Sequence, residues 1–206
     1  MTPVYKIFLV SLAALLLTST AGAAGIDGVF EAVAALPEKN SLAVVVFDEY
    51  INFSCPHCNN FRKAAKGLKE KYSGRIKVNY IPILFPRQSE FPLRLFYIAQ
   101  REGRGVEIKN LIFDAAFGHG VNVYDPAVVN YLARSTGLWE KYRQEGQAQW
   151  VSQRLQAGFS SAGLAGVRAT PTVVLQGAIR VEPKTGMKAF VGNLDRIIQQ
   201  LLKPAS

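Results

Sequence analysis

Cys55 and Cys58 are the only cysteines among the 206 residues, and only Pro56 and His57 separate them. Within the chain they can pair only with each other. A disulfide stabilises mainly by restricting the unfolded chain, and a loop this short restricts very little. The pair is better explained by reversible thiol–disulfide chemistry, in which a thiolate attacks a disulfide sulfur. Zinc binding is the other chemistry such spacing can serve. A structural zinc takes four ligands, yet His119 is the only histidine outside the motif and there is no second cysteine pair, so no metal site is expected.

Thiol exchange requires one sulfur to be held as an anion, and the flanking residues supply the means. Leu42 to Phe47 (LAVVVF) is a short apolar run rich in β-branched residues, which predicts a strand covered on both faces. From Pro56 onward, Phe61, Ala64, Ala65, Leu68 and Tyr72 recur at helical spacing, and Ser73-Gly74 stops the segment. Cys55 is then the last residue before a helix with Pro56 in its first turn, so its sulfur faces unpaired backbone N–H groups. The helix dipole and a protonated His57 both favour the thiolate, which makes Cys55 the attacking sulfur. Cys58 lies one turn further in and is shielded. The same stabilisation acts when Cys55 is a leaving group, so the reduced form is favoured and the disulfide becomes an oxidant.

Beyond this helix, Ile76, Val78 and Tyr80 alternate with polar Lys77 and Asn79, predicting a second strand that ends near Pro82. Strand, helix and strand make a βαβ unit with the cysteines at the strand-to-helix corner, where α/β sheets place their chemistry. Residues 88–166 read as a helical insertion, broken at Gly103 to Gly105, at Gly118-His119-Gly120 and around Gly137. Asp125-Pro126 is a good helix start, and Trp150, Leu155 and Phe159 anchor a later helix. Thr172 to Leu175 (TVVL), a Gln176-Gly177 turn and Ala178 to Val181 form a hairpin. Leu194, Ile197, Ile198, Leu201 and Leu202 mark one face of a closing helix. The predicted order is βαβ, helices, ββα.

At the N-terminus, Lys6 precedes an apolar run from Ile7 to Leu17, followed by small residues and Ala21-Gly22-Ala23. This pattern predicts a signal peptide over residues 1–23, cleaved near Ala23, and a single exported domain over 24–206. The run is too short for a spanning helix. Removing Lys6 leaves 23 basic against 15 acidic side chains. Many of the basic ones, Arg62, Lys63, Lys66, Lys69 and Lys71, fall on the predicted first helix and read as a solvated polar face. Nucleic acid is not an expected partner of an exported protein. His119 reads as a solvated loop histidine, and Phe53, Phe61, Phe85 and Phe91 as core or groove lining.

Taken together, VVVFDEYINFSCPHC, the helical block and VRATPTVVLQG resemble the DsbA family of thioredoxin-like thiol:disulfide oxidoreductases over most of the mature chain. The resemblance implies an α/β, thioredoxin-like fold: a mixed sheet, βαβ then ββα, with a helical insertion. It implies a cis peptide bond between Thr170 and Pro171 beside the cysteines, with Pro56, Thr170 and Pro171 contacting an extended substrate. Glu49, six residues before Cys55, occupies the place of a buried acid that would take the proton from Cys58. The redox-active disulfide is the only reactive group implied, with no further cofactor. Implied partners are reduced or unfolded exported proteins and a membrane quinone-linked, DsbB-like protein that re-oxidises the pair.

Thr170 departs from the valine of the best-known DsbA oxidases, and threonine there also occurs in isomerases and reductases of the wider group. The expected activity is therefore a periplasmic dithiol oxidase, with an isomerase or reductase of the same fold as the alternative. Dimeric isomerases carry an N-terminal dimerisation domain. Here only about eighteen residues lie between the cleavage site and the first predicted strand, so a monomer is expected. A binding protein for unfolded chains, whose apolar groove matters more than its cysteines, is the reading from another class.

Overall fold

The computed structural model describes residues 25–34 and 43–203. The expected signal segment over residues 1–23 and the expected start of the first strand at Leu42 lie outside these residues. A five-stranded sheet in the order β1-β5-β4-β2-β3 forms the centre of the fold. It comprises β1 (Glu31–Ala32), β2 (Val45–Ile51), β3 (Ile76–Pro82), β4 (Thr172–Leu175) and β5 (Ile179–Val181). Only β2 and β3 run parallel, and the other neighbours are antiparallel. The sheet is therefore mixed.

Seven helices accompany it: α1 (Pro56–Lys71), α2 (Phe91–Arg101), α3 (Gly105–Gly118), α4 (Pro126–Ser135), α5 (Trp139–Glu145), α6 (Gln149–Leu164) and α7 (Met187–Leu202). The chain crosses from β2 through α1 to the parallel β3, runs through α2–α6, and returns by the β4–β5 hairpin to α7. The hairpin connection, Gln176 to Ala178, carries left-handed φ values of 53° at Gln176 and 65° at Gly177, and the Ala178 N–H closes the turn on the Leu175 carbonyl at 3.0 Å.

Alternation along β2 decides what meets what. Val45, Phe47, Glu49 and Ile51 share one face, because successive side chains of a strand point to opposite sides. Val45 and Phe47 pack there with Phe61, Ala65 and Leu68 of α1 and with Phe190, Leu194, Ile197 and Ile198 of α7. On the other face Tyr50 and Val174 meet Ala162 of α6. Ile51, the last residue of the strand, and Phe53, just past it, join a larger cluster that includes Leu93, Phe96, Ile108, Ile112 and Phe113 of the inserted helices. Phe53 makes edge-to-face contacts with Phe96 and Phe113, at centroid distances of 6.3 and 5.4 Å. It thus ties the segment just before the cysteines to the insertion.

Three local features depart from expectation. The strand expected over 42–47 begins at Val45, leaving Ala43 and Val44 outside it, and continues to Ile51, because Asp48 and Glu49 are strand residues despite their charge. β1 was not anticipated: two exposed residues, Glu31 and Ala32, carry no apolar alternation and join the sheet only by pairing with Arg180 and Ile179. The basic face expected on α1 is also only partly solvated. Lys63, Lys66 and Lys71 are exposed, but Arg62 and Lys69 turn inward. Arg62 donates to the Asn110 carbonyl at 3.2 Å and to Asp114 at 2.7 Å, strapping α1 to α3.

Candidate functional site

Cys55 is the N-cap of α1 and Pro56 is its first residue. A Pro at this position loses no hydrogen bond, because the first-turn N–H groups have no partners within the helix. The Cys58 N–H points at Cys55 Sγ, 3.3 Å away. The thiol also donates to the Thr170 carbonyl at 3.1 Å. Both cysteines are free thiols, Cys55 with 9% of its surface exposed and Cys58 with 1%. A hydrogen bond from the Cys58 thiol, resisted by partial burial and assisted by Thr170 and by the N–H groups of Cys58 and His57, lowers the Cys55 pKa to about 6. Burial first, and the adjacent Cys55 anion second, push Cys58 far upward. One sulfur is therefore a thiolate at neutral pH, and the other is a buried thiol.

The Thr170–Pro171 peptide is cis. Thr170 is buried, and its hydroxyl has no hydrogen-bond partner among the described residues. In the thiol form the Thr170 carbonyl accepts from Cys55, whereas the unused hydroxyl is available to a thiolate.

His57 is exposed. Its backbone N–H contributes to the Cys55 anion, whereas its imidazole forms no hydrogen bond among the described residues.

Glu49 is 1% exposed, and its carboxylate accepts from Lys69 Nζ at 2.6 Å. Tyr80, directly opposite Glu49 in the parallel register, places its hydroxyl 3.1 Å from the same nitrogen. Burial works against the Lys69 charge, but Glu49 and Tyr80 outweigh it and hold Lys69 above its ordinary pKa. A second lysine, Lys109 of α3, is 3% exposed and lies 3.9 Å from the centroid of the Tyr80 ring.

Several of these residues escaped the sequence reading. Asn52 is fully buried, donates to the Ile83 carbonyl at 2.9 Å and to Gln88 at 2.7 Å, and accepts from Ser54. Its carbonyl receives the Cys55 N–H at 3.0 Å, which fixes the turn into α1. A polar residue between Ile51 and Phe53 was the available signal. For Lys109 the signal is an ammonium in the apolar stripe Gly105, Ile108, Ile112 and Phe113. His119 is exposed beside an apolar groove between α3 and α4. Among the described residues no cluster of three His, Cys, Asp or Glu could hold a metal ion, and no helix is long and apolar enough to cross a membrane.

A thioredoxin-like sheet carrying a Cys-x-x-Cys pair at its strand-to-helix corner defines the class. The family model described as thioredoxin matches residues 40–195, and the chain belongs to that family. Among solved structures, DsbA from Pseudomonas aeruginosa superposes with a TM-score of 0.70 at 17% identity, covering 84% of this chain and 92% of the other. The oxidoreductase DsbA from Xylella fastidiosa gives 0.68 at 18%, covering 77% and 86%. A DsbA disulfide interchange protein from Klebsiella pneumoniae gives 0.64 at 14%, covering 84% and 94%. The fold, helical insertion included, is that of these structures. No curated protein matches the sequence.

Proposed function

We propose that the chain is a protein-thiol:disulfide oxidoreductase of the DsbA type, acting as a dithiol oxidase on exported proteins. The observation that carries this reading is the unequal pair: Cys55 with a pKa lowered to about 6 beside a buried, protonated Cys58. A substrate thiolate attacks Cys55 Sγ of the disulfide, and Cys58 leaves with the electron pair and gains a proton. The substrate's second thiolate then attacks its own sulfur in the mixed disulfide and expels Cys55 as a thiolate. Two substrate thiols are oxidised and the Cys55–Cys58 pair is reduced. A stabilised Cys55 thiolate favours that direction.

Thr170, with Pro171 and Pro56, flanks the reacting sulfur and is assigned to substrate binding, while an exposed His57 adds positive charge beside Cys55 when protonated. The Xylella and Klebsiella proteins, named oxidoreductase and disulfide interchange protein, support the same chemistry. Residues 1–23 fit a secretory leader, which supports a periplasmic reaction; re-oxidation by a membrane quinone-linked protein is part of the same reading. Thr170 supports a second reading, in which the same pair reduces or isomerises disulfides.

The test is stoichiometric oxidation of a reduced, unfolded dithiol protein. The wild type is expected to transfer its disulfide, Cys58→Ser to accumulate a mixed disulfide at Cys55, and Cys55→Ser to do neither. Transfer by Cys55→Ser would eliminate the proposal. Wild-type protein that reduces substrate disulfides but does not oxidise dithiols would establish the second reading.

A further inference from the structure

Because successive side chains of a strand alternate, Asp48 and Tyr50 leave β2 on the side of the sheet away from α1. Asn79 and Ile81 of β3 share that side, opposite them in the parallel register. Between this floor and helices α2 and α6 lies a cavity of about 340 Å³. None of the residues assigned to thiol exchange lines it, so it is a separate place in the fold.

Gly158 of α6 keeps the cavity open. A Cβ at that position would come within 3.0 Å of the Tyr97 hydroxyl oxygen and 3.2 Å of Ile81 Cγ2. Any other residue would therefore crowd the space in front of that hydroxyl. Tyr97 is only 4% exposed, it lines the cavity, and its hydroxyl makes no hydrogen bond among the described residues. A buried hydroxyl left unpaired costs free energy. Burial pushes its pKa up to about 12, against the pull of Arg154, so it stays a donor across the physiological range.

The charges around this hydroxyl are unbalanced. The Arg154 guanidinium sits 5.7 Å from the Tyr97 ring centroid, and its one hydrogen bond among the described residues goes to the neutral Gln100 side chain at 3.2 Å. Lys77 also lines the cavity, and neither cation has an ion pair among the described residues. Asp48 is the only carboxylate in the lining, and it already accepts from the Asn79 amide at 2.7 Å. Two cations against one carboxylate leave a single positive charge for a ligand to offset.

We propose that the cavity binds a small hydroxylated carboxylic acid as its monoanion. The Arg154 guanidinium offers a carboxylate paired N–H donors, and the Tyr97 hydroxyl donates to the same group. Asp48 and Ser161 accept from the ligand's hydroxyls. The Ser161 hydroxyl gives its proton to the Gly158 carbonyl at 2.8 Å, which leaves its lone pairs free. A phosphate dianion fits less well, because its second negative charge exceeds what the lining offsets and meets Asp48.

Titration of the nitrogen-15-labelled full chain, followed by amide resonances, gives both the affinity and the place of binding. Lactate and galacturonate are expected to shift the amides of Asn79, Ile81 and Gly158 saturably. Their neutral counterparts, propane-1,2-diol and galactose, should leave those amides in place. Arg154→Met should weaken binding on the order of tenfold and Tyr97→Phe roughly fivefold. Lys63→Met, at an exposed lysine of α1 outside the cavity, should bind as the wild type does.

The proposal is overturned if neither carboxylate shifts these amides, or if the neutral counterparts shift them equally. Tighter binding of inorganic phosphate, or undiminished binding by either cavity variant, overturns it as well. Should Tyr97→Phe fail to fold, Gly158→Ala supplies the same test, because its methyl group displaces the hydroxyl and should weaken binding.

Discussion

The carbonyl oxygen of Thr170 lies 3.1 Å from Cys55 Sγ, although 115 residues separate the two in the chain. The β4 strand brings them together, because Thr172 pairs with Tyr50 and Val173 with Glu49 at the end of β2 that leads to the cysteines. Cys55 therefore reports on both halves of the fold, through the first turn of α1 and through the segment before β4.

Removal of the Thr170 hydroxyl is expected to raise the Cys55 pKa. Thr170→Val keeps the shape, and the buried hydroxyl has no other partner to lose. Absorbance of the thiolate, titrated in wild type and variant, measures the shift. The variant disulfide should also be less oxidising, since the thiolate it releases is less stabilised.

The stability of the reduced protein should depend on pH in a way that the oxidised protein's does not. A Cys55 pKa lowered from 9.0 to about 6 contributes stability that is complete above the unfolded value and is lost as pH falls through the folded one. Between about pH 6 and 9, rising pH should stabilise the reduced form relative to the disulfide form. Above about 9 the raised Cys58 pKa acts in the opposite sense, because the unfolded thiol ionises first. Denaturant unfolding of both forms at several pH values checks the sign, and alkylation of Cys55 should rise with a midpoint near 6.

Lys69→Met should be destabilising by roughly 3 kcal/mol, because it leaves the Glu49 carboxylate buried without its partner. Glu49→Leu combined with Lys69→Met should recover much of that loss, since an apolar pair of similar volume leaves no charge to desolvate. Urea midpoints of the two variants make the comparison.

Truncation at Phe53 tests the link between the cysteine turn and the inserted helices. Phe53→Ala removes a fully buried ring wedged between Phe96 and Phe113 and is expected to cost about 3 to 5 kcal/mol. Because Asn52 and Ser54 flank it and hold the turn, the Cys55 pKa should drift upward as well.

Local chemistry and periodicity carried much of the sequence reading. The Cys55–Cys58 spacing, Pro56 at the helix start and the alternation in β3 are short-range signals, and each corresponds to an observed element. The TVVL strand is likewise where the sequence placed it. Other features are long-range and have no local signature. β1 exists only because Arg180 and Ile179 offer it an edge. Lys69 sits among exposed lysines on the helical wheel, and its inward turn depends on Glu49 from another element. Glu49 was singled out only by the family resemblance, and the observed strand supplies its phase, on one face with Val45, Phe47 and Ile51. Lys109 went unread although it is a cation at an apolar position of α3, and the nearby carboxylate of Glu49 is already paired with Lys69.

Redox equilibration of the Cys55–Cys58 pair with glutathione, read by thiol trapping, bears most directly on the oxidase assignment. Preferential stabilisation of the Cys55 thiolate requires a strongly oxidising potential, less negative than about −200 mV. A value near that of thioredoxin, about −270 mV, would contradict it and make the protein a reductase.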